Sequence, residues 1–146
     1  MKNLAIISAL LFGGFAVAWL LVADVRVAGQ IGIAAVFAFT ALGHFVKGEE
    51  MAAMLPDSIP ARPAIIFLSG LLEIFLAVLV VVPRYSEVAG TALCFFLVLV
   101  TPVNVYAAFK KVDFGGHAAG PRYLWLRLPL QFVLLGWTYW FAVRRP

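Results

Sequence analysis

The 146-residue chain is 64% hydrophobic and only 12% charged, whereas a soluble domain is about half apolar and a quarter charged. This excess excludes an ordinary soluble domain and predicts a single membrane domain, residues 1–146. The net charge of +4 does not indicate nucleic-acid binding, because Lys and Arg stand at the ends of apolar runs, where they meet lipid headgroups. The single cysteine, Cys94, excludes an internal disulfide.

Five stretches are predicted to be membrane-spanning helices, since a span needs roughly 20 mostly apolar residues. They cover about residues 4–23, 28–46, 63–82, 88–109 and 123–143. The predicted fold class is therefore all-α, a transmembrane helical bundle.

The first stretch has two interpretations. Lys2, the apolar run behind it and the small residues at 16–18 are typical of a cleaved signal peptide. The run continues to Ala23, however, beyond the usual signal core of about 7–15 residues. We expect Leu4 to Ala23 to be a retained helix, with a cleaved signal as the alternative.

The basic residues predict the orientation of the bundle. If the N-terminus is cytoplasmic, six of them face the cytoplasm and four face the other side, and an excess of Lys and Arg is typical of cytoplasmic loops. The cytoplasmic set is Lys2, Lys47, Arg62, Lys110, Lys111 and Arg122, and the other set is Arg26, Arg84, Arg144 and Arg145. The N-terminus is predicted inside and the C-terminus outside.

Two loops lie on the predicted cytoplasmic side. Residues 47–62 carry Met51 and Met54 beside acidic residues and are predicted to form a short helical turn at the membrane surface. The second loop, residues 110–122, is rich in glycine and is predicted to be irregular.

Glu73 is an acidic residue inside the third apolar stretch. It is the eleventh residue of that stretch, so a helical rise of about 1.5 Å per residue puts it roughly 15 Å deep, near the middle of the membrane. A carboxyl at this depth is expected to face the bundle interior and a partner. Arg127 is the predicted partner, because its long side chain can bind a carboxylate through two hydrogen bonds.

Further polar residues lie in the same half of the predicted bundle. The candidate ligand-binding or proton-handling set is His44, Glu73, Asn104, Tyr106, Arg127 and Gln131. Such a cluster is either a structural ion pair that fixes helix packing or a functional site, and both interpretations stay open. Asn104 follows Pro102, so it either satisfies carbonyls that the proline frees or faces a ligand. The only other histidine, His117, is in a loop, so no metal site is predicted and His44 is expected to serve packing or proton exchange.

Several short motifs resemble the DoxX-like family of small membrane proteins. They are "FAFTALGHF" at 37–45, "MLPDSIP" at 54–60, "SGLLEIFLAVLVVVP" at 69–83, "TPVNVYAAF" at 101–109 and "LWLRLPLQFVLLGWTYW" at 124–140. The resemblance implies a four-helix DoxX-like core, to which residues 4–23 add an N-terminal helix. It also implies either a membrane partner of redox proteins or an assembly chaperone. All six candidate residues match recurring family positions, but the family supplies no agreed chemical role for them.

The cluster and the resemblance together predict a function. We expect an integral protein of the bacterial cytoplasmic (inner) membrane that is the membrane component of a redox system, an oxidoreductase subunit with no assigned catalytic residue. Its cluster would bind a quinone-like or other hydrophobic ligand from the inner leaflet, with quinone as the candidate cofactor and none bound covalently. The alternative is a non-catalytic membrane scaffold or assembly chaperone, with a protein partner at the loop 47–62. The lipid bilayer is a partner in both cases, nucleic acid in neither, and an oligomer is left open.

Overall fold

The computed structural model describes residues 2–144, in which all regular secondary structure is helical. The α-helices are α1 (Lys2–Val22), α2 (Val25–Val46), α3 (Gly48–Ala52), α4 (Arg62–Leu79), α5 (Ser86–Phe109) and α6 (Leu124–Thr138). A 3₁₀ segment, His117–Tyr123, precedes α6, and a π-helical turn, Tyr139–Val143, follows it. Of these elements α1, α2, α4 and α5 are long and apolar enough to cross a membrane. The prediction of an all-α membrane bundle is confirmed at this level.

The fifth predicted span, about 123–143, is helical but divided. α6 has 15 residues, and the chain then continues as the π turn. Side chains of α2 bind the end of this turn: Arg26 Nε and Gln30 Nε2 both donate to the Phe141 carbonyl, at 3.2 and 3.1 Å. A carbonyl at the end of the last helix is thereby satisfied from a neighbouring helix.

Two helix ends differ from the hydropathy prediction for local reasons. α2 begins earlier than predicted, because the Asp24 side chain accepts hydrogen bonds from backbone amides of the next turn and caps the helix. α4 ends at Leu79, before the predicted end at residue 82. Pro83 lies four residues after Leu79 and has no N–H, so it cannot donate the helical hydrogen bond to the Leu79 carbonyl.

α2 is the central helix of the bundle. It packs against α1 and α4 and also contacts α6, while α5 packs against α4, α6 and the π turn. The apolar core includes the fully buried side chains Leu11, Ile33 and Leu93. α1 and α2 approach closely at Gly32, where an added methyl group would lie 2.7 Å from the Leu11 carbonyl oxygen. Such small residues let two helix backbones meet.

The two ends of the bundle differ in what they contain. One end, which we call the cavity end, contains the N-terminal halves of α1, α4 and α6, the C-terminal halves of α2 and α5, and residues 114–117. The other end, which we call the capped end, contains Asp24, Arg26, Gln30, Pro83 and the π turn. The polar residues singled out in the sequence belong to the first end or to the middle of the bundle.

Candidate ligand-binding cavity

A cavity of about 640 Å³ lies in the cavity end. Most of its wall is apolar, with Phe39 of α2, Ile66 of α4 and Phe96 of α5 among the lining side chains, and Ile7 of α1 closes one part. Pockets that bind small molecules have volumes of about 300–1,000 Å³, mostly apolar walls and a few polar groups. The cavity fits this description.

The structure brings four of the six predicted residues to this cavity. His44, Glu73, Asn104 and Arg127 line it, whereas Tyr106 and Gln131 are not part of the wall. Thr40, Ser69 and His117 also line it, although the sequence did not single them out as site residues. The cavity wall therefore shares four residues with the predicted set, and the role predicted for them stays a prediction.

Glu73 is buried between α4 and α2. Its Oε2 accepts a hydrogen bond from Thr40 Oγ1 at 2.8 Å, and its Oε1 lies 3.5 Å from His44 Nε2. Among residues 2–144 the only ion pair of Glu73 is this one with His44. The predicted ion pair between Glu73 and Arg127 was wrong, because Thr40 and His44 stand one turn apart on the face of α2 that meets α4.

The hydrogen bonds of His44 define where its protons are. Nδ1 lies 2.8 Å from the Ile66 carbonyl oxygen and 2.9 Å from Ser69 Oγ, which itself donates to the same carbonyl. A carbonyl oxygen only accepts, so Nδ1 carries a hydrogen. Nε2 faces Glu73 Oε1 at 3.5 Å, where the two groups would share a further proton when the ring is imidazolium or the carboxyl is protonated. The pair is therefore a candidate for proton exchange.

Asn104 joins the loop to α6 on the other side of the cavity. Its Oδ1 lies 3.1 Å from His117 Nε2 and accepts from Arg127 Nε at 3.4 Å, while its Nδ2 donates to the Val100 carbonyl at 2.8 Å. The carbonyl that Pro102 leaves without its helical donor is that of residue 98, four residues earlier. Asn104 therefore does not repair the proline site and instead positions two basic side chains.

His117 lies in the loop, outside the spanning helices, and is buried. Its Nδ1 lies 2.7 Å from the Phe114 carbonyl and its Nε2 faces Asn104. Burial lowers the pKa of His117, the hydrogen bond to Phe114 raises it by less, and the charge of Arg127 lowers it again. The net shift is downward, so His117 is neutral at pH 7 and has one N–H for two facing oxygen atoms.

Arg127 has an unused donor. Nη1 of its guanidinium is buried and has no hydrogen-bond partner among residues 2–144. A buried guanidinium atom without a partner is costly, because it has lost its water and gained no acceptor. Since Arg127 lines the cavity, this atom is the candidate contact for a ligand oxygen.

Gln131 and Tyr106 lie outside the cavity wall. Gln131 is buried, and its Nε2 donates to the Leu97 carbonyl of α5 at 2.6 Å, while its Oε1 has no partner among the described residues. The Tyr106 ring has Lys110 Nζ 5.8 Å from its centroid. Gln131 therefore links α5 to α6, and Tyr106 belongs to the end of α5.

The loop 47–62 folds over the cavity. The predicted short helical turn is α3, and after it Met54 and Leu55 are buried and line the cavity. Arg62 Nη1 fixes the loop through Asp57 Oδ1 at 2.6 Å and the Leu55 carbonyl at 3.3 Å. The apolar side chains of this loop face inward, so they close the cavity.

The cavity is continuous with the apolar outer surface. Leu42, Ile65 and Leu99 belong to its lining and are also exposed, Leu99 by 70%. In a membrane, exposed apolar side chains on spanning helices face the lipid. A hydrophobic molecule would therefore reach the cavity from the bilayer.

Helical spacing could have identified two of the missed residues. Thr40 lies four residues before His44, and Ser69 lies four residues before Glu73, so each pair shares a helix face. His117 carries no such signal, because a glycine-rich loop has no fixed period. No three His, Cys, Asp or Glu side chains come together as metal ligands within the described part of the chain.

Residues 33–142 match the family described as a domain of unknown function, DUF8561. The chain belongs to the DUF8561 family. No curated protein and no solved structure matches it. The DUF8561 segment contains His44, Glu73, Asn104 and Arg127, whereas α1 precedes it. The resemblance to the DoxX-like family is not tested by this match and stays a prediction.

Proposed function

We propose that this DUF8561 protein is the membrane component of a redox system and binds a quinone-like or other hydrophobic molecule in the cavity. The observation that carries the proposal is an apolar cavity whose wall holds the His44–Glu73 pair and the unused Arg127 Nη1. An ionisable pair inside a membrane bundle is costly and is a functional hypothesis by default.

A relation to the DoxX-like family is part of the same proposal. Its support is that His44, Glu73, Asn104 and Arg127, which match recurring positions of that family, all line one cavity. A bacterial inner-membrane location with the cavity end toward the cytoplasm follows from the same proposal and from the distribution of basic residues.

The side chains suit a ligand that gains and loses protons. A quinone supplies two-electron, two-proton chemistry when it is bound. Thr40 and His44 hold the Glu73 carboxyl in one orientation, and Ser69 with the Ile66 carbonyl holds the His44 ring. Fixed orientation of a proton donor toward its acceptor is what general acid–base chemistry requires.

Binding of a short-chain quinone to the purified protein in neutral detergent tests the proposal. Saturable binding is expected, with about tenfold weaker affinity in Glu73→Gln if the proton shared with His44 contributes one hydrogen bond. Glu49→Gln is the matched control, since Glu49 is an exposed carboxylate of α3. The proposal fails if no saturable binding occurs, or if the two variants bind equally.

The scaffold alternative places a partner protein at the loop 47–62. Met54 and Leu55 of this loop are buried against the cavity, which leaves fewer apolar side chains for a partner. A stoichiometric partner that co-purifies equally well with the unmodified chain and with Glu73→Gln, in the absence of quinone binding, would favour the scaffold.

A further inference from the structure

Among the ionisable side chains in the cavity wall, one cation has no anion in contact with it. Those side chains are His44, Lys47, Glu73, His117, Tyr123 and Arg127. The wall therefore holds one carboxyl group and several groups that can be positive. The protonation of each group follows from its hydrogen bonds or its surroundings.

The one carboxyl of the wall lies beside His44 and not beside Arg127. Nδ1 of His44 faces the Ile66 carbonyl, and its Nε2 lies 3.5 Å from Glu73 Oε1. Among residues 2–144 this is the only ion pair that Glu73 forms. The wall therefore has no carboxylate in direct contact with Arg127.

The remaining ionisable groups of the wall, apart from Arg127, add no unpaired charge. Lys47 is exposed and pairs with Glu50 Oε1 at 2.8 Å. His117 is neutral at pH 7, because its burial lowers its pKa. Tyr123 is a neutral phenol at this pH.

Arg127 is therefore a positive charge with no anion in contact with it among residues 2–144. A guanidinium stays protonated in proteins, its Nε donates to the uncharged Asn104, and its buried Nη1 has no partner among residues 2–144. Burying a charge that is not paired costs several kcal/mol. An ionised oxygen placed at Nη1 would supply both the missing hydrogen bond and an adjacent counter-charge.

We infer that the ligand in the cavity is an anionic amphiphile, whose ionised oxygen binds Arg127 Nη1 and whose apolar part extends toward the lipid past Ile65 and Leu99. The inference rests on the proposed function and narrows the ligand to one charge class. An ionised hydroxyquinone and a fatty acid both have this chemistry, an oxygen anion on an apolar body. A neutral quinone does not.

Matched pairs of probes test the charge alone. The first pair is an alkyl hydroxynaphthoquinone, ionised at neutral pH, and its uncharged methyl ether. The second pair is palmitate and the corresponding alcohol. Each is titrated against the full-length protein in neutral detergent. The ionised member is expected to bind about ten- to a hundredfold more tightly, because a hydrogen bond to a charged group is a strong one.

Variants then locate the anion. Arg127→Gln is expected to abolish the preference for the ionised member and to leave the neutral member nearly unaffected, while Arg127→Lys keeps part of it. Arg122→Gln removes the same charge from an exposed position of the 3₁₀ segment and is expected to keep the full preference. The comparison on the unmodified chain remains decisive even if Arg127→Gln does not fold.

The possible outcomes separate this inference from the proposed function. Equal binding of charged and neutral quinones overturns the inference and leaves the quinone proposal standing. A preference confined to palmitate supports the anionic ligand and removes the quinone. A preference that persists in Arg127→Gln overturns the inference, because another group then binds the anion. Absence of binding by all four probes contradicts both.

Discussion

The cavity end and the capped end are built from the same five long helical segments, yet they differ in how completely their polar groups are bonded. At the capped end, Arg26 and Gln30 of α2 bind the Phe141 carbonyl, and Trp137 Nε1 donates to the Gly29 carbonyl at 3.0 Å. At the cavity end, side chains also bind backbone carbonyls, but Arg127 Nη1 is buried without a partner among residues 2–144. The cavity end therefore keeps a buried donor free.

The proposed function explains this difference as one end that serves packing and one end that serves a ligand. Buried polar groups that are fully bonded make a structure rigid, and partly bonded ones lower its stability. A chain that keeps a costly arrangement at one end, while it satisfies the other, is expected to recover the cost in binding. Five predictions test this proposal. The first four run from the largest expected effect to the smallest, and the fifth makes the matching substitution at the capped end.

The largest effect is expected at Glu73. Glu73→Ala removes the partner of Thr40 and His44 and should lower the free energy of unfolding by about 3–5 kcal/mol, as removal of one member of a buried pair does. Glu73→Gln keeps an acceptor for Thr40 and a donor for His44, so about 1 kcal/mol is expected. Denaturant unfolding in detergent measures both. A loss in Glu73→Gln as large as that in Glu73→Ala would contradict this prediction, because it would mean that the amide replaces none of the contacts of the carboxyl.

Gly32 tests the packing of α1 on α2. Gly32→Ala puts a methyl group 2.7 Å from the Leu11 carbonyl oxygen, and overpacking of this kind costs about 1–3 kcal/mol. Gly13→Ala is the matched control, because an added methyl there meets no atom within 4 Å and alanine favours a helix by about 0.5–1 kcal/mol. Thermal unfolding should move in opposite directions for the two. If neither substitution changes the unfolding temperature, α1 packs loosely against α2.

The sequence predicted the elements of the fold well, because long apolar runs in this chain have few alternatives to spanning helices. The inward orientation of Glu73 also followed from the sequence, since a carboxyl avoids lipid, and its side chain is buried. Helix ends were less certain. Asp24 and Pro83 moved them by residue-specific effects that a hydropathy average does not contain.

The partner of Glu73 could not be predicted from depth alone. Depth ranks residues along the membrane normal, but it carries no information on which helix faces which. Arg127 has the longer reach and the full charge, yet α2 packs directly against α4 and brings Thr40 and His44 to the carboxyl. His117 was missed for a related reason, because the fold of its loop depends on Asn104 and Phe114.

The effect of His117 on the pH dependence of unfolding tests whether its loop excludes water from the cavity end. Its pKa is lowered in the folded state, so the unfolded chain binds a proton more readily and stability falls as pH drops below about 6.5, the ordinary value. Above about pH 6.5 the contribution of His117 to stability is constant. The slope is at most about 1.4 kcal/mol per pH unit for one group. His117→Gln should flatten this part of the profile of unfolding against pH, and an unchanged slope would show that His117 is solvated.

The smallest change in stability is expected from Arg127→Met. The substitution loses the hydrogen bond to Asn104 but also removes a buried cation with an unused donor, and apolar replacement of such a group is often neutral or stabilising. A change of less than about 1 kcal/mol is expected, together with loss of ligand binding.

The same substitution at the capped end completes the comparison. Arg26→Met removes the side-chain donor of the Ala142 carbonyl and one of the two side-chain donors of the Phe141 carbonyl, which keeps Gln30 Nε2. It should destabilise the protein by about 1–2 kcal/mol, because partly buried acceptors lose hydrogen bonds. Ligand binding by the folded protein should persist, since Arg26 is remote from the cavity lining. Arg26 would then be needed for stability but not for ligand binding, and Arg127 for ligand binding but not for stability. Equal destabilisation by the two substitutions would instead mean that Arg127 is a structural residue whose free donor has no ligand.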